Sequence, residues 1–283
     1  VFTRSGDTVF VEDPSYFLAF KIFRDHDLNV VGIPVDKDGM RIDALENALN
    51  ETSPAILYTI PSYHNPGGFC TSEARRHEIV RLADAHDFLI VADEVYQLLH
   101  FFDPPPPAYG TMIVSDRVLS LGSFSKLLAP GMRLGWVQTS RRLREKLLAN
   151  GFVNSGGSIN HLGSHIVRHA IELGLLDKNV LQLRQALRQR LEAMNSALNK
   201  HFNGAATWLC PEGGYFFWLQ LDSEIDTEEF RARAADSETG FQPGRVFSSS
   251  GQLSNCMRLC FAHYSPVDIE SGMSRLRAAL DID

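Results

Sequence analysis

Val118-Leu119-Ser120-Leu121-Gly122-Ser123-Phe124-Ser125-Lys126-Leu127-Leu128-Ala129-Pro130-Gly131-Met132-Arg133-Leu134-Gly135-Trp136 is the stretch on which the reading of this chain turns. Its two ends are apolar runs closed by glycine and serine, which read as short buried strands. Between them a loop of small residues carries Lys126, and Arg133 follows. A lysine at a strand end is badly placed for a helix-face salt bridge. It is well placed to enter a cleft, because α/β sheets bind ligands at the carboxyl ends of their strands. A lysine amine desolvated there becomes a nucleophile toward carbonyls. Ser123 and Ser125 offer hydroxyl donors, and Arg133 offers a planar fork that matches phosphate. An aldehyde carrying a phosphate suits such a set, and pyridoxal phosphate is the candidate. The competing reading is a loop with an ordinary surface lysine.

Working toward the N-terminus, apolar strands alternate with helical patterns. Strands are expected over 7–12, 29–33, 55–60 and 88–92, and helices over 16–25 and 42–49. Thr71 or Ser72 can cap a further helix whose apolar stripe is Ile79, Leu82 and Ala83. This alternation predicts a mostly parallel sheet with right-handed crossovers. Toward the C-terminus a helix is expected over 140–148, then a flexible loop, Asn154-Ser155-Gly156-Gly157. A long helical pattern over 175–202, with Leu181, Leu187, Leu191 and Leu198 on its apolar positions, reads as the connector to a second unit. That unit has strand patterns at 207–209, 215–219 and 257–261 and helices near 227–235 and 266–280, a smaller α+β unit. The division is therefore 1–174 and 175–283.

The totals narrow the class. Hydrophobic residues make up 44% and charged residues 22%, as in a soluble globular protein, and a net charge of −7 argues against a nucleic-acid surface. No apolar run is long enough for a membrane helix. Cys70, Cys210, Cys256 and Cys260 have no metal-site or disulfide-framework spacing; Cys256 and Cys260, beside strand-like residues, read as free core thiols, and a reducing, cytoplasmic location fits. No metal is expected. The chain opens on Val rather than Met, mid-fold, so a removed targeting segment stays open.

Three strand ends point the same way: Asn65 follows one, Asp93 ends another, and Lys126 follows a third. A carboxylate beside a pyridine nitrogen keeps it protonated, which makes the ring an electron sink. Asp93 is placed for that, with Tyr96 and Asn65 able to reach the ring's phenolic oxygen. The alternative for Asp93-Glu94 is a helix N-cap.

Taken together, Tyr63-His64-Asn65-Pro66-Gly67-Gly68, Val91-Ala92-Asp93-Glu94-Val95-Tyr96, Ser123-Phe124-Ser125-Lys126 and Pro130-Gly131-Met132-Arg133-Leu134-Gly135-Trp136 resemble the class I aminotransferases of PLP fold type I, in particular the aminoadipate/kynurenine group. The likeness covers nearly the whole chain. It implies a PLP-binding large domain and a small C-terminal domain, and an amino group moved between an L-amino acid and a 2-oxo acid. It implies Lys126 as the Schiff-base lysine, Asp93 on the pyridine nitrogen, Asn65 and Tyr96 on the phenolic oxygen, and Ser123, Ser125 and Arg133 on the phosphate. Tyr16 matches the ring that stacks on the cofactor, with a core tyrosine as the alternative. Arg258, in Asn255-Cys256-Met257-Arg258-Leu259, matches the clamp for the substrate α-carboxylate, with Asn65 beside it. A structural ion pair is the alternative there. Pro211 to Phe216 and Phe241 to Phe247 match framework segments near the substrate.

The resemblance also implies a homodimer whose 154–157 loop reaches the partner's phosphate. Family members carry an N-terminal arm and a phosphate-binding helix start ahead of the first strand here. Either the chain is a fragment or something else supplies that anion site; if the site is truly absent, PLP retention is expected to be weak. A PLP-dependent lyase or synthase, or a PLP-binding regulatory domain without catalysis, are the other functions this set allows.

Overall fold

The structure is a computed structural model and describes residues 1–155 and 160–280. Its strands are β1 (Thr8–Asp13), β2 (Asn29–Asp36), β3 (Gly39–Met40), β4 (Ile56–Thr59), β5 (Leu89–Asp93), β6 (Val118–Ser123), β7 (Gly135–Thr139), β8 (Ala206–Trp208), β9 (Phe216–Leu221), β10 (Gln242–Pro243) and β11 (Cys256–Cys260). The helices are α1 (Phe17–Asp25), α2 (Ile42–Glu51), α3 (Glu73–His86), α4 (Arg141–Leu148), α5 (Gly151–Asn154), α6 (His161–Glu172), α7 (Leu175–His201), α8 (Thr227–Asp236) and α9 (Pro266–Leu280).

Seven strands form one sheet in the order β3-β2-β1-β4-β5-β6-β7. The pairs among β2, β1, β4, β5 and β6 are parallel, and the two edge strands are antiparallel. The central strands are apolar throughout because both faces are covered. Alternation sends Val9, Val11, Tyr58 and Val91 to one face, against α1, α7 and the second sheet. It sends Phe10, Leu57, Ile90 and Ala92 to the other, against α2 and α3. Ser72 caps α3, accepting from the Arg75 backbone N–H, and Ser140 caps α4 in the same way. The strand order reverses between β1 and β4, the kind of crevice where open α/β sheets take ligands.

The second sheet, β10-β11-β9-β8, is antiparallel throughout. Phe217, Leu219, Met257 and Leu259 pack with Phe230, Ile269 and Met273 and join the core that runs past α7 to β1 and β4. Ser249 Oγ donates to Asp13 Oδ2 at 2.8 Å and the Ser15 N–H to the Phe247 carbonyl at 2.9 Å, which pins this sheet's loops to the end of β1.

Four local expectations need correction. β7, read as a buried strand, is an exposed antiparallel edge, because only β6 pairs with it. Leu181 is 58% exposed and Val180 takes the buried position, since the stripe of α7 drifts by one residue near its start. Cys256 is buried but Cys260 is exposed. The two share one face of β11, so position along the strand separates them: Cys256 lies opposite Gln220 at one end and Cys260 opposite Phe216 at the other. Between the helix over 140–148 and the long helix from 175, where only a flexible loop is expected, the chain forms α5 and α6, and Asn154 of that loop ends α5. Gly156 and Gly157, the part of the loop expected to reach a partner, lie outside the described residues.

Candidate active site

The site lies along the carboxyl edge of the large sheet. After β4 the chain makes a turn through Tyr63-His64-Asn65-Pro66-Gly67-Gly68, held from several sides. The His64 N–H donates to the Phe69 carbonyl (2.8 Å) and the Gly68 N–H to the His64 carbonyl (2.7 Å). The His64 ring stacks on Phe69 at 4.4 Å, and its Nδ1 accepts from the Gly67 N–H at 3.0 Å. Nδ1 is thus an acceptor, which puts the proton of a neutral ring on Nε2. Nε2 lies 3.1 Å from Glu12 Oε2, close but poorly aligned for a hydrogen bond. Glu12, fully buried, also accepts from Thr59 Oγ1 at 2.6 Å and the Ile60 N–H at 2.8 Å. Arg76, buried behind the turn, donates to the Pro61 and Thr71 carbonyls and to Ser62 Oγ. Tyr63 adopts φ +50° with its ring against Gly213 and Gly214, where a Cβ on Gly213 would come within 2.6 Å of the ring.

This scaffold fixes Asn65. Its Oδ1 accepts from Arg258 Nη1 at 2.8 Å, which leaves the amide NH2 for a different acceptor. Arg258 projects from β11, with its guanidinium 4.1 Å from the Phe216 ring centre and 4.9 Å from that of Phe247. Its Nε is buried with no partner. No carboxylate among the described residues lies within ion-pair distance of it. Burial pushes the guanidinium pKa down, opposed by Cys260, Tyr96 and Tyr16. A cation held this way between two rings, with a free donor, is arranged for an anion from outside the chain.

Asp93 ends β5, so its carboxylate stands at the sheet edge rather than capping a helix; a turn follows. Tyr58 Oη donates to Asp93 Oδ2 at 2.7 Å. Burial raises the Asp93 pKa, while Tyr58, the Val95 N–H and Lys126 pull it down. Glu94 faces the other way, accepting from Ser120 Oγ at 2.6 Å and the Tyr109 N–H at 2.8 Å, with Arg76 Nη1 3.6 Å away. Tyr96 is buried, its ring edge-on to Tyr215 at 5.4 Å, and burial raises its pKa. Tyr16, just before α1, feels both Asp93 and Arg258.

Lys126 follows β6 on a loop whose bonds explain the small residues. The Trp136 indole crosses Gly122, where an added Cβ would sit 2.0 Å from it. Ser123 Oγ accepts from the Ser125 N–H at 3.1 Å, and the Phe124 N–H donates to the Leu134 carbonyl. Asn179 of α7 donates to the Leu127 carbonyl at 2.7 Å, and Tyr215 Oη to that of Lys126 at 3.3 Å. Lys126 Nζ lies 5.5 Å from the Tyr215 ring centre. Arg133 is exposed at φ +48°, donating to the Pro130 carbonyl of its own turn rather than toward the two serines. Tyr215 and the Glu12–His64 pair are site neighbours that sequence reading did not single out. A glutamate closing an otherwise apolar strand was the available signal for Glu12.

An amine, a carboxylate, a buried arginine with an unpartnered donor and a pair of loop serines are the partners that an aldehyde, a pyridine nitrogen, a carboxylate and a phosphate require. The residues present fit pyridoxal phosphate and an amino-acid substrate.

The chain matches the family "Aminotransferase class I and II" over residues 1–276. It is 34% identical over 98% of its length to an aromatic-amino-acid aminotransferase of Thermococcus litoralis, spanning 67% of that protein. It is 30% identical over 96% of its length to an HTH-type transcriptional regulator of Bacillus subtilis, spanning 56% of it. The fold superposes on the Pyrococcus horikoshii kynurenine aminotransferase, solved in complex with PMP, with a TM-score of 0.92 at 31% identity, covering 99% of this chain and 70% of that one. The chain spans about half to two thirds of the length of the curated relatives it matches.

Proposed function

The chain belongs to the class I and II aminotransferases and has the fold type I architecture, and from that premise we propose that it is a PLP-dependent transaminase acting between an L-amino acid and a 2-oxo acid. The observation that carries the reading is that Lys126 and Asp93 follow or end neighbouring strands at the carboxyl edge of the large sheet, while Arg258 of β11, with no carboxylate partner among the described residues, reaches Asn65 beside them. Residues 1–174 serve as the cofactor-binding unit and 175–283 as the unit that brings Arg258 to it.

When bound, pyridoxal phosphate supplies an aldehyde for amine capture and a ring that withdraws electrons. Lys126 Nζ is the amine that holds it and the base that moves the proton at the substrate Cα. Asp93 keeps a proton on the ring nitrogen. The NH2 of Asn65 and the Tyr96 hydroxyl serve the phenolic oxygen, Ser123, Ser125 and Arg133 the phosphate, and Tyr16 the ring face. The Arg258 fork takes the substrate α-carboxylate and so orients Cα, a positioning effect. Its bond to Asn65 Oδ1 ties substrate binding to the cofactor side of the site.

A homodimer and a cytoplasmic location complete the proposal. Phe152, Leu162, Ile166 and Leu173, exposed along α5 and α6, support a second copy as their cover. Four free thiols support a reducing compartment. Similarity to a regulator supports a second reading, ligand sensing without turnover. An absorbance scan during PLP titration, followed by a panel of amino acids, separates the two. Transamination predicts that amino acids convert the PLP band and yield oxo acid; a band that no amino acid converts refutes it.

A further inference from the structure

Tyr58 has no part in the proposal above, yet it makes a hydrogen bond to Asp93. In the parallel register Tyr58 of β4 pairs with Val91 of β5. Asp93, two residues on from Val91, shares its face, so Tyr58 lies directly below the carboxylate. Apart from Tyr58 that face is apolar in the strand interiors, with Val9, Val11 and Val91 around it. Phe23 of α1 packs edge-on against the Tyr58 ring at 5.5 Å, and a phenylalanine would satisfy every contact of the ring. The hydroxyl has one described partner, Asp93 Oδ2 at 2.7 Å.

We propose that Tyr58 is a positioning residue that holds the Asp93 carboxylate charged and aimed at the cofactor's ring nitrogen, an inference that rests on the PLP reading. The surroundings show why such a donor is needed. Asp93 is faced by Glu12 from β1, by Tyr16 at the head of α1, by Tyr96 beyond β5 and by Lys126 beyond β6. Burial and the Glu12 charge work against ionisation, while Lys126, the Val95 N–H and Tyr58 favour it. Once its ammonium is committed to an aldehyde, Lys126 contributes less positive charge, and the two hydrogen bonds remain. Burial and the neighbouring Asp93 hold the phenol pKa far above its usual value, so Tyr58 stays a donor at every working pH. Tyr58 holds Oδ2 from below, which fixes the plane in which the carboxylate faces the ring.

The test is a double-mutant cycle on the 283-residue chain, using Tyr58→Phe, Asp93→Asn and the pair. In the unloaded protein, urea unfolding is measured at pH 4.5 and pH 8. Tyr58→Phe is expected to raise the unfolding constant about tenfold more at pH 8, where Asp93 must be charged, the change expected for losing one hydrogen bond to a charged group. In the Asp93→Asn background that pH-dependent increment is expected to vanish. In PLP titrations Tyr58→Phe is expected to weaken binding about tenfold, with no such loss in the Asp93→Asn background. Equal effects in both backgrounds and at both pH values make Tyr58 an ordinary core residue and overturn the proposal. Coupling in the unfolding arm with no PLP binding by the unaltered chain overturns the functional reading, and the ring-nitrogen half of this proposal with it.

Discussion

Arg258→Lys keeps the charge on β11 and removes the fork. In the wild-type chain Nη1 donates to Asn65 Oδ1 at 2.8 Å, and the guanidinium plane lies between Phe216 and Phe247. An ammonium reaching from the same Cα retains attraction to the rings but makes one strong bond where the fork makes two. Losing one hydrogen bond to a carboxylate costs about 1.5–3 kcal/mol, or roughly 10- to 150-fold in kcat/KM. Stability should change little. The bond to Asn65 is worth about 1.5–3 kcal/mol, but the ammonium can remake it, and the buried, unpartnered Nε is removed. A melting point within about 4 °C of wild type follows. The assay is steady-state kinetics on two chemically different amino acids beside a melting curve. A uniform fall in kcat/KM for both is expected, because the α-carboxylate is common to them. Unchanged kinetics with a drop of more than about 10 °C would show that Arg258 serves the fold instead.

Three further outcomes follow from the same geometry. Glu94→Ala removes the acceptor for Ser120, Tyr109 and Gly110 and leaves the Arg76 charge without its buried counterpart. A loss of about 3–5 kcal/mol in urea unfolding is expected, and a loss below 1 kcal/mol would contradict the buried network. Gly122→Ala drives a methyl into the Trp136 indole, which must swing outward at about 1–3 kcal/mol. A change in tryptophan fluorescence should accompany the fall in melting temperature, and an unmoved spectrum would refute it. Asp93 is raised by burial in the unloaded chain. Its neutral form is therefore favoured on folding, and the stability tied to it is full below the unfolded carboxylate value of about 3.9 and lost as pH rises through the folded value. Asp93→Asn should thus raise the melting temperature more at pH 8 than at pH 4, and a pH-independent change would refute the assignment.

The parallel sheet was legible in the sequence because its central strands are apolar on both faces and end on turn formers, as at Asp13-Pro14 and Asp93-Glu94. The same strand-end logic brought Asn65, Asp93 and Lys126 to one edge. Pairing was not legible. Nothing local in Gly135-Trp136-Val137 tells an exposed edge strand from a covered one, since that depends on which strands lie beyond it. Tyr58 reads as one more core aromatic until the β4–β5 register sets it beneath Asp93, 35 residues away in sequence. Arg258 announced a partner by its cost in an apolar strand, but its amide partner, Asn65, comes from 193 residues away. Arg133 shows the converse: its motif was plain, and its side chain bonds to its own turn.

The central claim is that Lys126 is the amine that holds pyridoxal phosphate, and borohydride reduction with peptide mapping tests it most directly. The 283-residue chain is incubated with PLP, reduced, digested and sequenced by mass spectrometry. The account predicts a single stable pyridoxyl mass on the peptide containing Ser125-Lys126-Leu127, lost in Lys126→Ala. A label on Lys21, Lys37 or any other lysine with Lys126 unmodified would contradict it.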